Sequence, residues 1–546
     1  MKDFNSPLEA FLFWEKKTPK AVFLKQPLHG KIINYTFSEV GKESRKIAKA
    51  LKDYNLPERS HIALLSKNCA HWYMADLAII MSGHVSIPIY PTLNAASIRQ
   101  IINHSETKAI IIGKLDDFES QQSGIPDIPK ICVGLYGEHQ DNLWEDIVSK
   151  EQEITNIYKQ KPEDLYTIIY TSGTTGEPKG VMHSINNIMR SVKALLTVSP
   201  LEDHSQLFSY LPIAHVAERL IENMSFVNGA TVSFPESLES FAYDLEQTQP
   251  HLFFAVPRIW SKFQEKIIEK IPQKRLDLLL KIPIINGILK KKLQKKLGLG
   301  NAAFIVSGAA PIASSLVNWY ESIGITIFQI YGMTEDCCIS HTNAPAANKV
   351  GTVGKALPNV KIKLSPQGEI CIKNNCLMKG YFKDPKITAA AFDEEGYFKT
   401  GDIGEYDPDG FLTLTGRVKD QFKTDKGKYI SPAPLELEMC KNTDIEQICI
   451  VGTGIPQPIA LVTLSELGKA KTKELLATGL LNTLEQVNPA FEKHEKIKKV
   501  VIMKEVWNVA NGLTTPTLKV KRSLIEKIHQ EYYSSWFEKD ENIIFE

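Results

Sequence analysis

The sequence has little that would mark a membrane-spanning, secreted or nucleic-acid-binding protein. No stretch reaches the roughly 18 uncharged apolar residues of a transmembrane helix, and the first residues lack the apolar core of a signal peptide. The formal net charge is only +1 over 546 residues, which argues against a dedicated nucleic-acid binder. The eight cysteines include no Cys-x-x-Cys pair and no zinc-like spacing. We therefore expect a reducing, cytoplasmic setting. Buried thiols are expected where cysteines lie in or beside apolar runs, at Cys132, Cys371, Cys440 and Cys449.

One segment departs from the even balance of charge. Residues 262–296 carry eleven lysines and arginines against three acidic residues, with apolar residues between them. A basic amphipathic segment of this kind can lie on an anionic membrane surface. The same pattern also fits a solvated pair of helices that covers the core. Both readings stay open, so the sequence allows a peripheral contact with the inner face of the membrane.

The chain is too long for a single core, so two or more domains are expected. Short apolar runs alternate with helix-like stretches up to about residue 330, which is typical of strands buried on both faces of parallel α/β sheets. Turn-rich patterns then predict a small β-rich subdomain at about 350–418. A mixed pattern predicts a compact α+β unit over 419–546. The apolar runs lie at 62–65, 85–90, 109–112, 131–133, 167–170, 207–211, 231–234, 251–256, 303–306 and 326–331.

The most informative stretch is Tyr170-Thr-Ser-Gly-Thr-Thr-Gly-Glu-Pro-Lys-Gly180, which directly continues a predicted buried strand. Its glycines let the backbone take positive φ and approach a ligand, and successive N–H groups in such a turn can bind an anion. Its hydroxyls add neutral donors, and Lys179 adds a mobile positive charge. These are the groups that handle a polyphosphate. The stretch is not a Walker A loop, because Gly-x4-Gly-Lys-Ser/Thr is absent.

This stretch closely resembles the phosphate-binding signature of adenylate-forming enzymes, which include acyl-CoA synthetases, nonribosomal-peptide adenylation domains and firefly-type luciferases. The resemblance continues in order from about Ser66 to Arg522 through at least seven motifs. Residues 209–219, Thr400-Gly-Asp-Ile-Gly and Thr517-Leu-Lys look like long-chain fatty-acid–CoA ligases of the AMP-forming type. The further motifs are Leu211–Arg219, Ser307–Pro311, Tyr331–Glu335, Tyr397–Asp402, Gly416–Asp420, Gly427–Glu436 and Thr514–Arg522.

The resemblance implies a fold and a domain division. The fold is α/β, with two doubly wound sheets and the β-rich subdomain in an AMP-binding domain over 1–418. A smaller mobile α+β domain over 419–546 carries the catalytic lysine. Lys519 is that lysine, although this chain lacks the glycine that many members carry just before it.

The resemblance also implies site residues. The catalytic group consists of Lys519, His215 beside the substrate carboxylate, Thr175 and Lys179. Glu335 holds Mg²⁺, Lys419 is the hinge, and Gly427 and Lys428 border the CoA side. The nucleotide is bound by Thr171, Ser172, Gly173, Thr174, Thr175, Gly176, Lys179, Gly308, Ala309, Ala310, Tyr331, Gly332, Thr334, Asp402, Arg417 and Lys519.

Structural roles fit some of these residues equally well when each is taken alone. A histidine at a helix start such as His215 is often structural, Thr334 and Glu335 fit a helix cap with an acidic first turn, and Gly401-Asp402 fits a surface turn. The implied reaction joins a medium- or long-chain fatty acid to CoA at the expense of ATP, through an acyl-adenylate. An acyl-AMP ligase that loads a carrier protein, an aryl-acid–CoA ligase and a non-catalytic nucleotide-binding regulator are the alternatives.

Overall fold

The structure is a computed structural model that describes residues 2–137, 142–172, 178–199, 201–515 and 517–546. Its strands are β1 Val22–Leu28, β2 Lys31–Thr36, β3 His61–Leu65, β4 Val85–Ile89, β5 Ala109–Ile112, β6 Lys130–Cys132, β7 Leu165–Ser172, β8 Pro178–Ser184, β9 Gln206–Phe208, β10 Thr231–Ser233, β11 Leu252–Ala255, β12 Phe304–Ser307, β13 Phe328–Tyr331, β14 His341–Thr342, β15 Lys355–Ala356, β16 Lys361–Leu364, β17 Glu369–Lys373, β18 Gly380–Tyr381, β19 Phe398–Tyr406, β20 Leu412–Arg417, β21 Phe422–Lys423, β22 Tyr429–Ile430, β23 Ile445–Val451, β24 Ile459–Leu464, β25 Lys499–Ile502 and β26 Ile543–Phe545.

The helices between these strands are α1 Pro7–Lys17, α2 Phe37–Asp53, α3 Ala70–Met81, α4 Ala95–Ser105, α5 Phe118–Gln121, α6 Trp144–Lys150, α7 Ile185–Val198, α8 Val216–Asn228, α9 Phe241–Thr248, α10 Pro257–Lys270, α11 Gln273–Leu280, α12 Pro283–Lys296, α13 Ser314–Ser322, α14 Pro385–Ala390, α15 Pro432–Met439, α16 Glu466–Lys469, α17 Lys473–Val487, α18 Arg522–His529 and α19 Tyr533–Glu538. No helix among the described residues is long and apolar enough to cross a membrane.

Two large sheets make up most of the N-terminal domain. One has the order β18-β8-β7-β4-β3-β5-β6, and its strands from β7 to β6 run parallel. The other joins β2-β1-β10-β9 to β11-β12-β13-β14-β15, because the His251 N–H donates to the Gln206 carbonyl at 2.9 Å between the two halves. The apolar runs found in the sequence form strands β3–β7 and β9–β13, as predicted, and most of their residues are buried.

Two helices occupy the interior of the N-terminal domain. Every residue of α3 is buried, and so are all but one of α8. A helix that is covered on every side must be apolar or must pair its polar groups, and α8 carries Glu218, Arg219 and Glu222 into the core. The chain enters α8 from residues 209–215, and His215 caps the start of this helix.

The remaining sheets belong to the smaller units. Strands β16-β17-β19-β20 form an antiparallel sheet in the predicted β-rich region. The C-terminal domain holds the β21-β22 hairpin and the sheet β23-β24-β25-β26, with a separate apolar core on each face of that sheet. This is the predicted α/β architecture with a smaller α+β domain.

The cysteines are free thiols in the described part of the chain. Cys132, Cys371 and Cys449 are buried, as predicted. The prediction is wrong for Cys440, which is exposed. Cys440 caps the C-terminal end of α15, so the chain turns outward there although the helix before it packs into the core.

Candidate active site

The ends of β13 and β20 and the middle of β19 bring three predicted nucleotide-binding residues together. Asp402 and Arg417 face each other in the register of β19 and β20, and the Arg417 Nε donates to Asp402 Oδ1 at 2.6 Å. The Tyr331 hydroxyl donates to Asp402 Oδ2 at 2.7 Å. Attraction to Asp402 raises the pKa of Arg417, so the guanidinium stays charged. The Asp402 carboxylate keeps further lone pairs free, as a residue that accepts from two sugar hydroxyls must.

The phosphate-binding stretch joins two antiparallel strands rather than a strand and a helix. Strand β7 ends at Thr171 and Ser172, and β8 begins at Pro178, with Thr171 opposite Lys179. The hairpin therefore aims Lys179 from a paired strand. The predicted ligands Gly173, Thr174, Thr175 and Gly176 lie outside the described residues.

A second cluster links Lys179 to Glu335 through a residue that the sequence did not single out. Tyr381 of β18 donates its hydroxyl proton to Glu335 Oε1 at 2.8 Å, and Lys179 Nζ lies 5.1 Å from the centroid of the Tyr381 ring. Strand β18 pairs with β8 and so places Tyr381 next to the phosphate-binding hairpin. The only sequence signal for this contact is the short Gly380-Tyr381 strand, which has no periodicity to detect.

The turn that carries Thr334 and Glu335 is held from below by buried polar groups. Residues Thr334–Asp336 form one 3₁₀ turn, in which Asp336 Oδ1 accepts from the Met333 N–H at 2.8 Å. Burial raises the pKa of Asp336 to about 7. His183 Nε2 donates to the Thr334 carbonyl at 2.7 Å, and burial lowers the pKa of His183 to about 4, so this histidine is neutral. Sequence reasoning missed His183 because nothing in β8 distinguishes it.

Close backbone contact explains two of the small residues that were predicted to line the site. A Cβ on Gly332 would lie 2.5 Å from the Cα of Cys338, and one on Gly308 would lie 2.8 Å from the side chain of Ile330. Ala309 follows with a φ of 66°, in the left-handed region. Ala310 is exposed. Glycine at 308 thus lets the end of β12 approach β13, and glycine at 332 lets the chain pass close to the backbone of Cys338.

His215 combines a structural and a site position. It caps the N-terminus of α8, where its Nδ1 accepts from the Ala217 N–H at 3.2 Å. Burial and the nearby Lys519 charge lower the pKa of His215 to about 4. The imidazole is therefore neutral near pH 7, with its proton on Nε2. It can donate one hydrogen bond to an oxygen in the site and adds no charge.

Lys519 reaches the same site from the C-terminal domain. Its side chain stays accessible at the surface of the cleft, but the protein packed around the cleft lowers its pKa, and the Arg417 charge lowers it further. The carboxylates of Asp402 and Glu335 act in the opposite direction. The backbone turn that presents it is closed by Thr515, whose N–H donates to the Lys519 carbonyl at 2.8 Å and whose Oγ1 accepts from the Lys519 N–H at 3.1 Å.

Cys338 borders the same cleft. It is half-buried, has a φ of 56°, and lies close enough to Lys519 for each to affect the pKa of the other. Burial raises the pKa of the Cys338 thiol, and the Asp336 charge adds to the rise. The thiol is therefore protonated near pH 7.

Three predicted residues lie apart from this cluster. Lys419 lies in an exposed turn directly after β20. Gly427 and Lys428 lie in the turn of the β21-β22 hairpin, where the Gly427 N–H donates to the Thr424 carbonyl at 3.0 Å. Among the described residues, no hydrogen bond or ion pair joins Gly427 or Lys428 to the cluster around Asp402 and Lys519.

A buried charge network supports the segment that leads to His215. Arg219 Nη1 lies 2.9 Å from Asp76 Oδ2 on α3 and 2.6 Å from Glu222 Oε2, and all three side chains are inaccessible to solvent. Burial raises the pKa of Glu218 to about 8, although hydrogen bonds from Ser209 and from the backbone of the next two residues oppose the rise. Glu218 thus ties the first turn of α8 to residues 209–211.

The donor set fits Mg²⁺ bound mainly through phosphate. Glu335 is a half-buried carboxylate beside Lys179, and Mg²⁺ takes one or two protein carboxylates together with phosphate oxygens and water. Among the described residues, no group of three or more His, Cys, Asp or Glu side chains could hold a metal ion. Glu335 is the residue that would hold Mg²⁺ against the triphosphate.

Comparisons with known proteins match both parts of the chain. A family model of AMP-binding enzymes matches residues 12–382, and a model of the AMP-binding enzyme C-terminal domain matches residues 419–541. The long-chain-fatty-acid–CoA ligase FadD15 of Mycobacterium bovis is 28% identical over 94% of this chain and 93% of its own length. The long-chain-fatty-acid–CoA ligase 1 of Homo sapiens is 27% identical over 89% of this chain and 80% of its own length.

Solved structures share the fold. The adenylation domain of a carboxylate reductase from Mycobacterium chelonae superimposes with a TM-score of 0.82 at 19% identity, over 98% of this chain and 91% of that one. The o-succinylbenzoate CoA synthetase of Bacillus subtilis, in complex with its acyl-adenylate, gives a TM-score of 0.75 at 20% identity, over 95% and 97%. At these identities the likeness establishes the fold alone.

Proposed function

Because the chain belongs to the AMP-binding enzyme family, among its adenylate-forming acid–thiol ligases, we propose that its acid is a medium- or long-chain fatty acid and its acceptor CoA. Acid–CoA ligases of this family use ATP and CoA as cosubstrates and Mg²⁺ as a cofactor. The fatty-acid proposal draws support from relatives named as long-chain-fatty-acid–CoA ligases that match nearly the whole chain. Residues 209–219, which look like the corresponding segment of such ligases, add to it.

The proposed reaction has two halves. The fatty-acid carboxylate attacks the α-phosphorus of ATP, which forms the acyl-adenylate and releases pyrophosphate. The CoA thiol then attacks the acyl carbon, and AMP leaves. The first half brings two anions together, and unit charges about 4 Å apart repel by roughly 4 kcal/mol at an effective dielectric of 20. Fixed positive charge offsets this repulsion without reorganising solvent.

In this proposal the residues divide the work. Asp402 accepts from the ribose hydroxyls, Arg417 lies beside the ribose and phosphate, and Tyr331 stacks on adenine. Lys179 holds the β- and γ-phosphates, Lys519 stabilises charge at the α-phosphate, and His215 donates its Nε2 proton to the fatty-acid carboxylate. A neutral histidine suits this position. A charged His215 would be a second cation beside Lys519, and the cost of its desolvation would offset its attraction to the carboxylate.

The observation that carries the proposal is the place of Lys519. A lysine from the C-terminal domain lies among Asp402, Arg417 and Glu335 and affects the pKa of His215 across the cleft. One cation thus lies close enough to act electrostatically both on residues proposed to hold the nucleotide and on the residue proposed to hold the acid. This is the arrangement that the first half-reaction needs.

Replacement of Lys519 tests this assignment. We expect Lys519→Ala to lower pyrophosphate release with a fatty acid by about 100-fold or more, the usual loss when one stabilising group is removed. Thioester formation from presynthesised acyl-adenylate should stay close to that of the wild type. Lys521→Ala, two residues away, is the matched control and should leave both rates unchanged. Equal loss of both half-reactions in Lys519→Ala contradicts the assignment.

The acid and the acceptor need a separate measurement. Purified enzyme is incubated with ATP, Mg²⁺ and fatty acids of increasing length, or with benzoate or cinnamate, with and without CoA. Turnover with fatty acids that requires CoA supports the proposal. Fatty acyl-adenylate that accumulates and is not consumed by CoA indicates an acyl-AMP ligase, preference for benzoate or cinnamate indicates an aryl-acid ligase, and nucleotide binding without pyrophosphate release indicates a regulator.

We further propose a cytoplasmic enzyme that contacts the inner face of the membrane through residues 262–296. The amphiphilic product and substrate of such a ligase partition into bilayers, so contact with the membrane would shorten their transfer.

A further inference from the structure

Helices α11 and α12 form a hairpin on the surface of an apolar core of the N-terminal domain that contains Phe253, Trp260 and Ile305. Its inner side is anchored by Leu276, which is fully buried, and by Leu280, Leu289 and Leu293, which are partly buried against that core. No residue of α12 is fully buried, and a Cβ added at Gly287 would meet nothing within 4 Å. The hairpin thus stands out from the domain on one row of leucines.

The outer side of the hairpin carries an apolar patch at its turn. Its members are large aliphatic side chains on the last turn of α11, the connection and the first half of α12. They are Leu278, Ile282, Ile284, Ile285 and Ile288, with exposed fractions of 63%, 41%, 79%, 38% and 64%. We call them the tip patch. Scattered exposed leucines are ordinary, but a contiguous patch rimmed by charge marks an interaction site.

Lysines follow this patch along α12. Lys290, Lys291, Lys292 and Lys295 form the lysine rim, and Lys281 lies at the tip itself, in the connection. There is no acidic residue between 278 and 297. Among the described residues Lys296 pairs with Glu246, whereas no ion pair is recorded for the rim lysines. Lys291, Lys292 and Lys295 are exposed to solvent, and Lys290 is half-buried with its aliphatic stem beside Gly324.

The spacing between patch and rim matches the depth of a lipid interface. A helix rises about 1.5 Å per residue, so Lys292 lies about 6 Å along the axis from Ile288 and about 12 Å from Ile284. Interfacial helices bury their apolar side chains about 5–10 Å into the boundary between headgroups and acyl chains. With the axis of α12 along the membrane normal and the tip patch at that depth, the rim lysines lie at the level of the phosphates.

We propose that the α11–α12 hairpin docks this protein on an anionic lipid bilayer, with the tip patch inserted and the lysine rim against the headgroups. A second copy of the chain is a poorer occupant, because it would set two lysine rims against each other, and like charges at an interface are costly. Within residues 262–296, the membrane contact is thus formed by the tip patch and the lysine rim. It does not depend on the reaction catalysed.

Flotation with lipid vesicles tests the docking. Full-length protein is mixed at low salt with vesicles of phosphatidylglycerol and phosphatidylcholine in equal parts, or of phosphatidylcholine alone. We expect binding to the mixed vesicles that weakens with salt, since charges at a surface are screened, and little binding to phosphatidylcholine. Equal binding to both lipids, or no binding to the mixed vesicles, overturns the proposal.

Two variants separate the patch from the rim. Lys290→Gln, Lys291→Gln and Lys292→Gln combined should weaken partitioning by about 100-fold, since each lysine near an anionic surface contributes about fivefold. Ile284→Ser with Ile288→Ser should weaken it by about tenfold or more, through lost apolar burial. Matched controls are Lys361→Gln, Lys493→Gln and Lys504→Gln combined, and Leu238→Ser with Tyr243→Ser, which remove as many exposed lysines or large side chains elsewhere.

Thermal unfolding of each variant, which does not depend on activity, shows that the fold is intact. Controls that lose binding as strongly as the hairpin variants overturn the proposal. A second result would also overturn the proposal. In it, size-exclusion chromatography shows a dimer that Ile284→Ser with Ile288→Ser abolishes, while vesicle binding of this variant is unchanged.

Discussion

At the scale of single residues, the pKa of Lys519 sets a limit on the pH range of the proposed reaction. The protein packed around the cleft and the Arg417 charge lower that pKa below the usual 10.5. Lys519 acts as a cation, so kcat/KM for adenylation should fall on the alkaline side at a pH below 10.5. Lys519→Arg keeps its charge at all these pH values, so it should remove this alkaline limb even though its geometry lowers the rate. The measurement is pyrophosphate release against pH, and persistence of the limb in Lys519→Arg assigns it elsewhere.

Leu518, the residue before Lys519, has a strained backbone conformation. Leu518 has a φ of 62°, in the region that glycine occupies without penalty and that costs other residues about 1–2 kcal/mol. Its side chain is 46% exposed, so little burial compensates for this. Leu518→Gly should therefore keep adenylation within about twofold. Leu518→Val, β-branched and more strained in this conformation, should lower it by about fivefold or more. Equal rates in the two variants would show that the turn relaxes around Lys519.

Sequence and structure agree where local pattern determines the outcome. The apolar runs became interior strands because parallel sheets bury both faces, and His215 marks the start of a helix because a cap needs an acceptor. The sequence did not predict the roles of Tyr381 and His183. The contact of Tyr381 depends on the pairing of β18 with β8, and that of His183 depends on how closely β8 approaches residue 334. Strand β8 itself, Pro178-Lys-Gly-Val-Met-His-Ser, has neither an apolar run nor regular alternation. The division at residue 418 and the site roles stay predictions.

At the scale of elements, α8 carries a carboxyl group that opposes folding at neutral pH. The pKa of Glu218 is about 8 in the folded protein and 4.5 for an ordinary glutamate side chain. At a pH between these two values, the folded protein therefore holds a proton that the unfolded chain releases. Stability from this group is therefore greatest below pH 4.5 and declines as pH rises to about 8. Glu218→Gln should be more stable than the wild type near pH 8, by a margin that shrinks toward pH 5.

Urea unfolding of both proteins at several pH values measures that margin. Asp76→Asn is the contrast within the same network, because it removes a charged partner of Arg219 and leaves that cation buried with less compensation. It should destabilise the protein by about 3 kcal/mol or more at all these pH values. A Glu218→Gln margin that does not depend on pH would mean that Glu218 titrates normally.

At the scale of the whole molecule, an ion pair and a hydrogen bond join the N-terminal and C-terminal domains. Arg258 of α10 forms an ion pair with Glu446 of β23, and Ser431 Oγ donates to the Thr415 carbonyl at 2.9 Å. The ion pair is partly exposed, so its worth is about 0.5–1 kcal/mol. Glu446→Arg should lower adenylation two- to fivefold and leave thioester formation from presynthesised acyl-adenylate unchanged. Arg258→Glu combined with Glu446→Arg should restore adenylation; failure of this swap would exclude the pair as a domain contact.

The link between the domains yields a further prediction. Lys419 lies in the turn between β20 and the C-terminal domain, and among the described residues no hydrogen bond is recorded for its N–H, so proline removes none there. Proline fixes φ near −65° and restricts Val418. We expect Lys419→Pro to form acyl-adenylate and to lose CoA ester formation steeply, since the chain can no longer turn at this point. Single-turnover pyrophosphate release beside steady-state thioester production measures this, and two rates near wild type would place the pivot elsewhere.

The thiol of Cys338 has a consequence for the fate of the activated acid. An acyl-adenylate is an electrophile that reacts with thiols. Cys338 is a thiol of the protein itself, close to Lys519. A thiolate there would intercept the acyl group and leave the protein self-acylated after one turnover. Burial and Asp336 hold the pKa of Cys338 well above its usual value, so the sulfur stays protonated and poorly nucleophilic. In the proposed reaction the acyl group is therefore left for an acceptor that enters from outside.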